Sequence, residues 1–348
     1  NNELSSMKTP NIFFQPKFEY SSDELCGSEP FVYKHKVVNS SGTFIISGQK
    51  FDCELGMPYL EMFSLTKNHP ITPRPVDPNN IVFVIAADLN FYPSARVVIN
   101  EIRKHFGNQL KIIYYDLGGT INDPRTKEEM LGICNFEARA FKWDLLPKLV
   151  TDKKIFTWKI LITAEMFNEV DTFIYMDSSI FLETGDFTAF WDMINNKTLT
   201  PFQMSGATGH SIRHATHKGM YKYISLDMTI DRYHDMLEAN MMFFHKDEVT
   251  KEIIKWALLC GITRPCIEPP GAALGCVREE STVPEGQCHR QDQSVFNILL
   301  ANYEQKLLNE GVNILSHVNP SHPKNTRQRH QTRRMQETQE KIDHCKHL

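Results

Sequence analysis

Apolar stretches of strand length alternate along this chain with stretches whose apolar residues recur every three or four positions. That alternation predicts an α/β domain over residues 79–320. It starts with IVFVIAA at residues 81–87, a continuous apolar run suited to a strand covered on both faces. Pro93 then fits the first turn of a helix whose apolar stripe is Ala95, Val98, Ile99, Ile102 and Phe106, and Gly107 ends it. Residues 111–115, KIIYY, supply a second strand and complete a right-handed βαβ unit. Residues 135–141 read as a third strand, and 143–149 as a turn or short helix.

The central stretch is FTWKILITAEMFNEVDTFIYMDSSIFLE, residues 156–183. Thr157 is a polar start to a helix carrying Ile160, Leu161, Ala164 and Phe167, and residues 168–171 break the pattern. The β-branched and aromatic run 172–176 is a buried strand that delivers Asp177 at its carboxyl end, where open α/β sheets hold ligands. A carboxylate there also suits the cap of a tight turn. Further on, residues 203–206 start a strand and 205–219 read as an irregular loop holding His210, His214 and His217. From Leu237 a strand runs to a turn at Lys246 and Asp247 and gives way to an amphipathic helix with Ile253, Ile254, Ala257 and Leu258. Asp292 and Gln293 open another helix, with Val295, Phe296, Leu299 and Leu300 on its apolar side, and residues 313–317, NILSH, read as the last core strand.

Outside this domain the pattern weakens. Residues 1–78 are a small N-terminal stem or appendage with short β-like pieces at 31–38 and 43–46, ending in a stiff linker with four prolines between 69 and 80. Residues 321–348 form a polar tail with a basic run at 327–334.

Composition changes the picture in two ways. At 348 residues and net charge −4 the chain is long enough for one large α/β domain and gives no reason to expect nucleic acid; no apolar run reaches the roughly 20 residues a spanning helix needs. Eight cysteines without a CxxC pair argue for disulfides, Cys26 with Cys53 among them, and two Asn-x-Ser/Thr acceptors at Asn39 and Asn196 suit the secretory pathway. The stretch therefore reads as the lumenal portion of a type II membrane protein, membrane-bound only through a removed N-terminal anchor. The segment 260–288, with PPGAALG inside it, is long enough to be functional and to need disulfides for order.

The order helix, apolar strand, Asp-x-Ser resembles the GT-A nucleotide-sugar glycosyltransferases, including glycogenin-like retaining transferases and uncharacterised animal glycosyltransferase-like proteins. The resemblance implies a Rossmann-like, mostly parallel sheet flanked by helices. It implies a donor site at Ala86, Asp88, Lys159, Asp177, Ser179 and Asn240, with Lys159 on the diphosphate and Glu238 beside Asn240. It also implies a sugar and acceptor pocket at Asp292 and Gln293, and a divalent Mn²⁺ or Mg²⁺ on Asp177 and His317, with His322 as substitute. Ser179 stands where the family pattern has a second carboxylate, and a hydroxyl is a weaker ligand for a hard cation. The implied activity is hexosyl transfer from a nucleotide-diphosphate sugar to a glycan or glycoprotein hydroxyl in the Golgi. The catalytic group is drawn from Asp292, Gln293 and Glu238; the Asp-Gln pair implies retention, while Glu238 or Asp292 as base would give inversion.

Three other readings remain open. A catalytically inactive sugar- or protein-binding relative accounts for Ser179. A phosphatase acting through Asp116 in IIYYDLGGTIND lacks the second carboxylate, because residue 118 is glycine. Zinc on His210, His214 and His217 has helical spacing but no accompanying acid in HExxH fashion. Donor and acceptor identity lie in loop shape and are not legible in these residues.

Overall fold

A computed structural model describes residues 18–182, 184–318, 332–334 and 342. His322, Cys345 and most of the polar tail lie outside the described residues.

Two short antiparallel ladders come first, β1 (Leu25–Cys26) with β2 (Glu29–Pro30), and β3 (Lys34–Asn39) with β4 (Gly42–Ser47). The Asp52 side chain accepts the Glu54 and Leu55 N–H groups and so starts helix α1 (Cys53–Met62), which the Cys26–Cys53 disulfide ties to the first ladder. This appendage is packed into the main core rather than held off it. Tyr33 meets Trp256 edge-on at 5.6 Å, Glu29 pairs with buried Lys255, and His35 Nε2 lies 3.2 Å from Asp227. The proline-rich linker is strapped down, with the Ile71 N–H on Glu248 at 2.6 Å and the Val76 N–H on Asn195 at 2.7 Å.

The main chain of elements then runs β5 (Val82–Ala87), α2 (Tyr92–Phe106), β6 (Lys111–Asp116), α3 (Pro124–Leu131), β7 (Phe136–Ala140), α4 (Thr157–Glu169), β8 (Thr172–Asp177) and β9 (Ile180–Leu182). It continues with α5 (Thr188–Asn195), β10 (Phe202–Met204), β11 (Ala207–Ser211), β12 (Asp235–Leu237), β13 (Met241–His245), α6 (Glu248–Ile262), α7 (Arg264–Ile267) and α8 (Gln291–Asn309). The short β14 (Thr332–Arg334) pairs with β9.

Six strands make one sheet in the order β10-β13-β8-β5-β6-β7. Pairings from β8 through β7 are parallel, and β13 is antiparallel to both its neighbours. Successive β5 residues feed opposite faces: Val82, Val84 and Ala86 join one hydrophobic cluster, while Phe83, Ile85 and Ala87 join the other. Helices α4, α6 and α8 cover the first face and α2 and α5 the second. This is the mixed, mostly parallel α/β sheet flanked by helices that the resemblance implies. Two disulfides, Cys260–Cys266 and Cys276–Cys288, staple the long segment before α8, and Cys134 is disulfide-bonded as well. No helix among the described residues is long and apolar enough to cross a membrane.

Three expectations change. Residues 313–317 form no strand: Gly311 leaves α8 at φ 74°, and Glu304 holds Ser316 and His317 by side-chain bonds against the helix instead of a sheet edge. Part of the 205–219 stretch is strand, because β11 pairs with β12. The strand expected from Leu237 is interrupted at residues 238–240, and β13 begins only at Met241.

Candidate functional site

That interruption matters because of where it falls. The turn 238–240 lies against the carboxyl end of β8, its Asn240 carbonyl accepting the Asp177 N–H at 2.7 Å. Parallel register puts Ala86 of β5 directly beside Asp177. Asp177 is partly exposed at the sheet edge, and two groups reach its Oδ1: the Tyr175 hydroxyl at 3.1 Å and the Lys159 ammonium at 3.0 Å. Tyr175 and Asp177 are two residues apart on one strand, so the pleat points both the same way.

Lys159 is the hub. It is buried on α4, and three oxygens surround its Nζ: Asp177 Oδ1, Asp292 Oδ2 at 3.3 Å and the Ala239 carbonyl at 3.1 Å. The Tyr175 ring centroid lies 5.1 Å away, within cation–π range. Burial alone would push the Lys159 pKa down; the two carboxylates outweigh it and hold it above the ordinary lysine value. The position of α4 is set by close packing on α6. The Thr157 hydroxyl donates to the Gly261 carbonyl at 2.9 Å, and a Cβ on Gly261 would come within 3.0 Å of Ile160.

Asp292 sits inside the first turn of α8 rather than capping it, since the N-cap is Arg290. Burial pushes its pKa up to about 6, with Lys159 pulling the other way and Asp177 adding to the rise. The preceding residue, Gln291, has φ 35°, a left-handed backbone for a non-glycine and a local strain of about 1–3 kcal/mol. Gln293 is half-buried, and its carbonyl accepts from Asn297 at 2.8 Å. Asn297 also exchanges two bonds with the Leu237 backbone, so it pins the turn 238–240 to α8. On that turn the Asn240 amide donates to the Glu238 carboxylate.

Of the residues singled out in the sequence, Lys159, Asp177, Ala86, Asn240, Glu238 and Asp292 therefore form one connected set. Asp88 belongs to a neighbouring loop, where it accepts the Asn90 N–H and pairs with exposed Lys153 at 2.7 Å. Ser179 lies half-buried in the turn joining β8 to β9. His317 is elsewhere. Its Nδ1 and backbone N–H both engage Glu304, at 2.6 and 2.9 Å, and Glu304 is about 18 Å further along α8 than Asp292 at 1.5 Å per residue.

The donor set at Asp177 accordingly does not fit a Mn²⁺ or Mg²⁺ cage. Its Oδ1 is committed to an ammonium and a phenol, Asp292 is on the same ammonium, and His317 is distant. Asp116 is a turn anchor, its carboxylate accepting the Gly118, Thr120 and Ile121 N–H groups at 2.8–3.1 Å. A cleft of about 300 Å³ lies at the other end of β8, near Asp171, Arg74 and Lys246, and holds none of the candidate residues.

Sequence reasoning missed Tyr175, Gln291, Asn297 and Lys153. Tyr175 and Asn297 left a signal: strand parity with Asp177 for the first, a polar residue inside an apolar helical stripe for the second. Gln291 and Lys153 left none.

Residues 30–164 match a family described as a protein of unknown function (DUF1647), less than half of the chain. No curated protein matches in sequence. Among solved structures, the glycosyltransferase GlyE of Streptococcus pneumoniae TIGR4 is similar at 16% identity and TM-score 0.32, over 64% of this chain and 44% of GlyE. The galactosyltransferase LgtC, solved with donor and acceptor sugar analogues, is similar at 12% identity and TM-score 0.37, over 63% and 70%. Mouse xyloside xylosyltransferase 1 is similar at 10% identity and TM-score 0.39, over 66% and 84%. The chain thus spans less than half the length of GlyE, and scores of this size leave the site to be argued from its own residues.

Proposed function

We propose that this chain is a glycosyltransferase of the secretory lumen, moving a hexose from a nucleotide-diphosphate sugar to a hydroxyl of a glycan or glycoprotein with retention of configuration. The observation that carries the reading is one buried ammonium, Lys159, shared by Asp177 at the sheet edge and Asp292 at the start of α8. In such a transfer the bond from the anomeric carbon to the leaving phosphate oxygen breaks. The acceptor oxygen bonds to that carbon and its proton passes to the departing diphosphate oxygen. Positive charge grows on the sugar ring and negative charge on the diphosphate, so fixed charges are the main catalytic lever.

Asp292 offers a carboxylate to the cation-like carbon and is mostly ionised at neutral pH, its pKa being about 6. Gln293, Asn240 and Glu238 present groups that bind sugar hydroxyls. Lys159 is a positioning residue that holds both carboxylates in line. Exposed Lys153, beside Asp88, is the cation within the strand-end loops for the diphosphate. The disulfides support an oxidising lumen, and the Golgi is the compartment we propose. The domain boundaries at 79 and 320 belong to the same proposal.

Two observations favour an inactive binding relative: Ser179 replaces a carboxylate, and Asp177 Oδ1 is already held by two donors. A panel of nucleotide sugars, with and without Mn²⁺, separates the two. The transferase reading expects one donor to raise the thermal midpoint and to be slowly hydrolysed, with Asp177→Asn abolishing both effects. A midpoint shift without any hydrolysis or transfer supports the binding relative, and no response to any donor sinks both.

A further inference from the structure

Three histidines follow β10, and the fold separates their uses. His217 serves its own turn: its Nδ1 accepts the Gly219 N–H at 3.1 Å, and its backbone N–H donates to His289 Nδ1 at 3.2 Å. His210, on β11, and His214, just past it, lie ring against ring with centroids 5.6 Å apart and planes 28° apart. Glu280 reaches them from the segment stapled by Cys276–Cys288. Its Oε1 is 3.6 Å from His210 Nδ1 and accepts the Ser211 N–H. One ligand atom from each of these three side chains lies within 4.8 Å of the others, and among the described residues no other group of three or more His, Cys, Asp or Glu does so.

Two features point to a ligand rather than to a chance cluster. His214 is 2% exposed, and its Nε2 is buried without a hydrogen-bond partner, a cost of about 1–3 kcal/mol if nothing occupies it. His210 Nδ1 is likewise buried without a hydrogen bond, its carboxylate neighbour standing off at 3.6 Å. Two imidazoles and one carboxylate are a donor set that zinc takes with its fourth position open. The Arg290 charge near His210 opposes an incoming cation, and the Glu280 carboxylate offsets it.

We propose that His210, His214 and Glu280 form a zinc-binding site that clamps the loop after β11 to the segment 276–288. The loop already leans on α8, since the Ser294 hydroxyl donates to the Ala215 carbonyl at 3.0 Å. A metal at this point cross-links β11 and the loop after it to the segment 276–288, beside the start of α8. It does not touch the Lys159 cluster, and its test does not depend on sugar transfer.

The test is metal binding by the whole chain. Protein stripped with a chelator is titrated with Zn²⁺ against a competing indicator, bound metal is counted by mass spectrometry, and the Co²⁺ form is read by visible absorption. The expected result is one Zn²⁺ per chain and a raised thermal midpoint. His214→Ala and Glu280→Gln should each weaken binding by more than about tenfold, while His217→Ala binds as the parent does. Glu280→Gln keeps an oxygen for the Ser211 N–H, so it remains informative if His214→Ala fails to fold. Absence of stoichiometric uptake, uptake unchanged in Glu280→Gln, or equal loss in His217→Ala overturns the proposal.

Discussion

Replacing Lys159 by methionine removes the charge that two carboxylates share and keeps most of the side-chain volume. Asp292 is then a buried carboxylate without a counterion, whereas Asp177, with about 30% of its side chain exposed, is rescued by water. Breaking a buried ion pair from one side costs about 3–5 kcal/mol, and nearly all of it here falls on Asp292. The cost depends on pH in a definite sense. Asp292 has a folded pKa of about 6, above its unfolded value, so the stability its neutral form contributes is full below about pH 4 and is lost as pH rises through 6. Lys159 has the same sign at higher pH: its raised pKa contributes stability that is full below the ordinary lysine range and is lost as pH climbs past its folded value. Between pH 5 and 7.5 only the carboxylate of this pair titrates. Without the ammonium its pKa rises further, and at about 1.4 kcal/mol per pH unit over the interval from about pH 6 to 7.5 up to about 2 kcal/mol of the loss returns at pH 5.

Urea unfolding at the two pH values measures this directly. In urea at pH 7.5 the Lys159→Met variant should lose about 3–5 kcal/mol of unfolding free energy, and at pH 5 about 2 kcal/mol less than that. Adding Asp292→Asn should recover most of the loss at pH 7.5, because no buried charge is then left alone. A loss under about 1 kcal/mol, or an equal loss at both pH values, would refute the idea that Lys159 and Asp292 share a buried environment.

Asn297→Ala leaves the Leu237 N–H and carbonyl without partners and should cost about 2–4 kcal/mol in denaturant unfolding, far more than an exposed asparagine would. Gly206→Ala combines a φ of 80° with a Cβ only 3.2 Å from the Glu238 carboxylate. A stability loss of about 1–2 kcal/mol and a weaker donor-induced midpoint shift are expected, and an unchanged donor response would detach Glu238 from the donor pocket.

Much of the sheet was legible because parallel strands buried on both faces are nearly pure apolar runs. Residues 82–87 and 172–177 leave little choice. The two misread ends have a common cause. At 238–240 and at 313–317 the local sequence suits a strand, but side chains on α8, Asn297 and Glu304, take hold of the backbone and bend it away from the sheet. Such a tether acts across the fold and leaves no mark on the segment it bends. His317 shows the consequence: it has the right place in the chain for a metal ligand, and Glu304 keeps it about 18 Å along the helix from Asp292.

The chemistry divides along the same line. Asp177 was visible because a strand end is a local event, and Asp292 because a carboxylate at a helix start is one too. That they share Lys159 is a property of how α4 crosses beneath β8 and α8. The crossing depends on the absence of a side chain at Gly261 and on a hydroxyl at Thr157, both outside any motif. The ammonium lies between the two carboxylates, 3.0 Å from one and 3.3 Å from the other, and so links the strand end to the helix start. Under the proposed sugar transfer, charge set in place before the reaction would have its specificity for the transition state written in helix packing, one layer below the residues that touch the substrate.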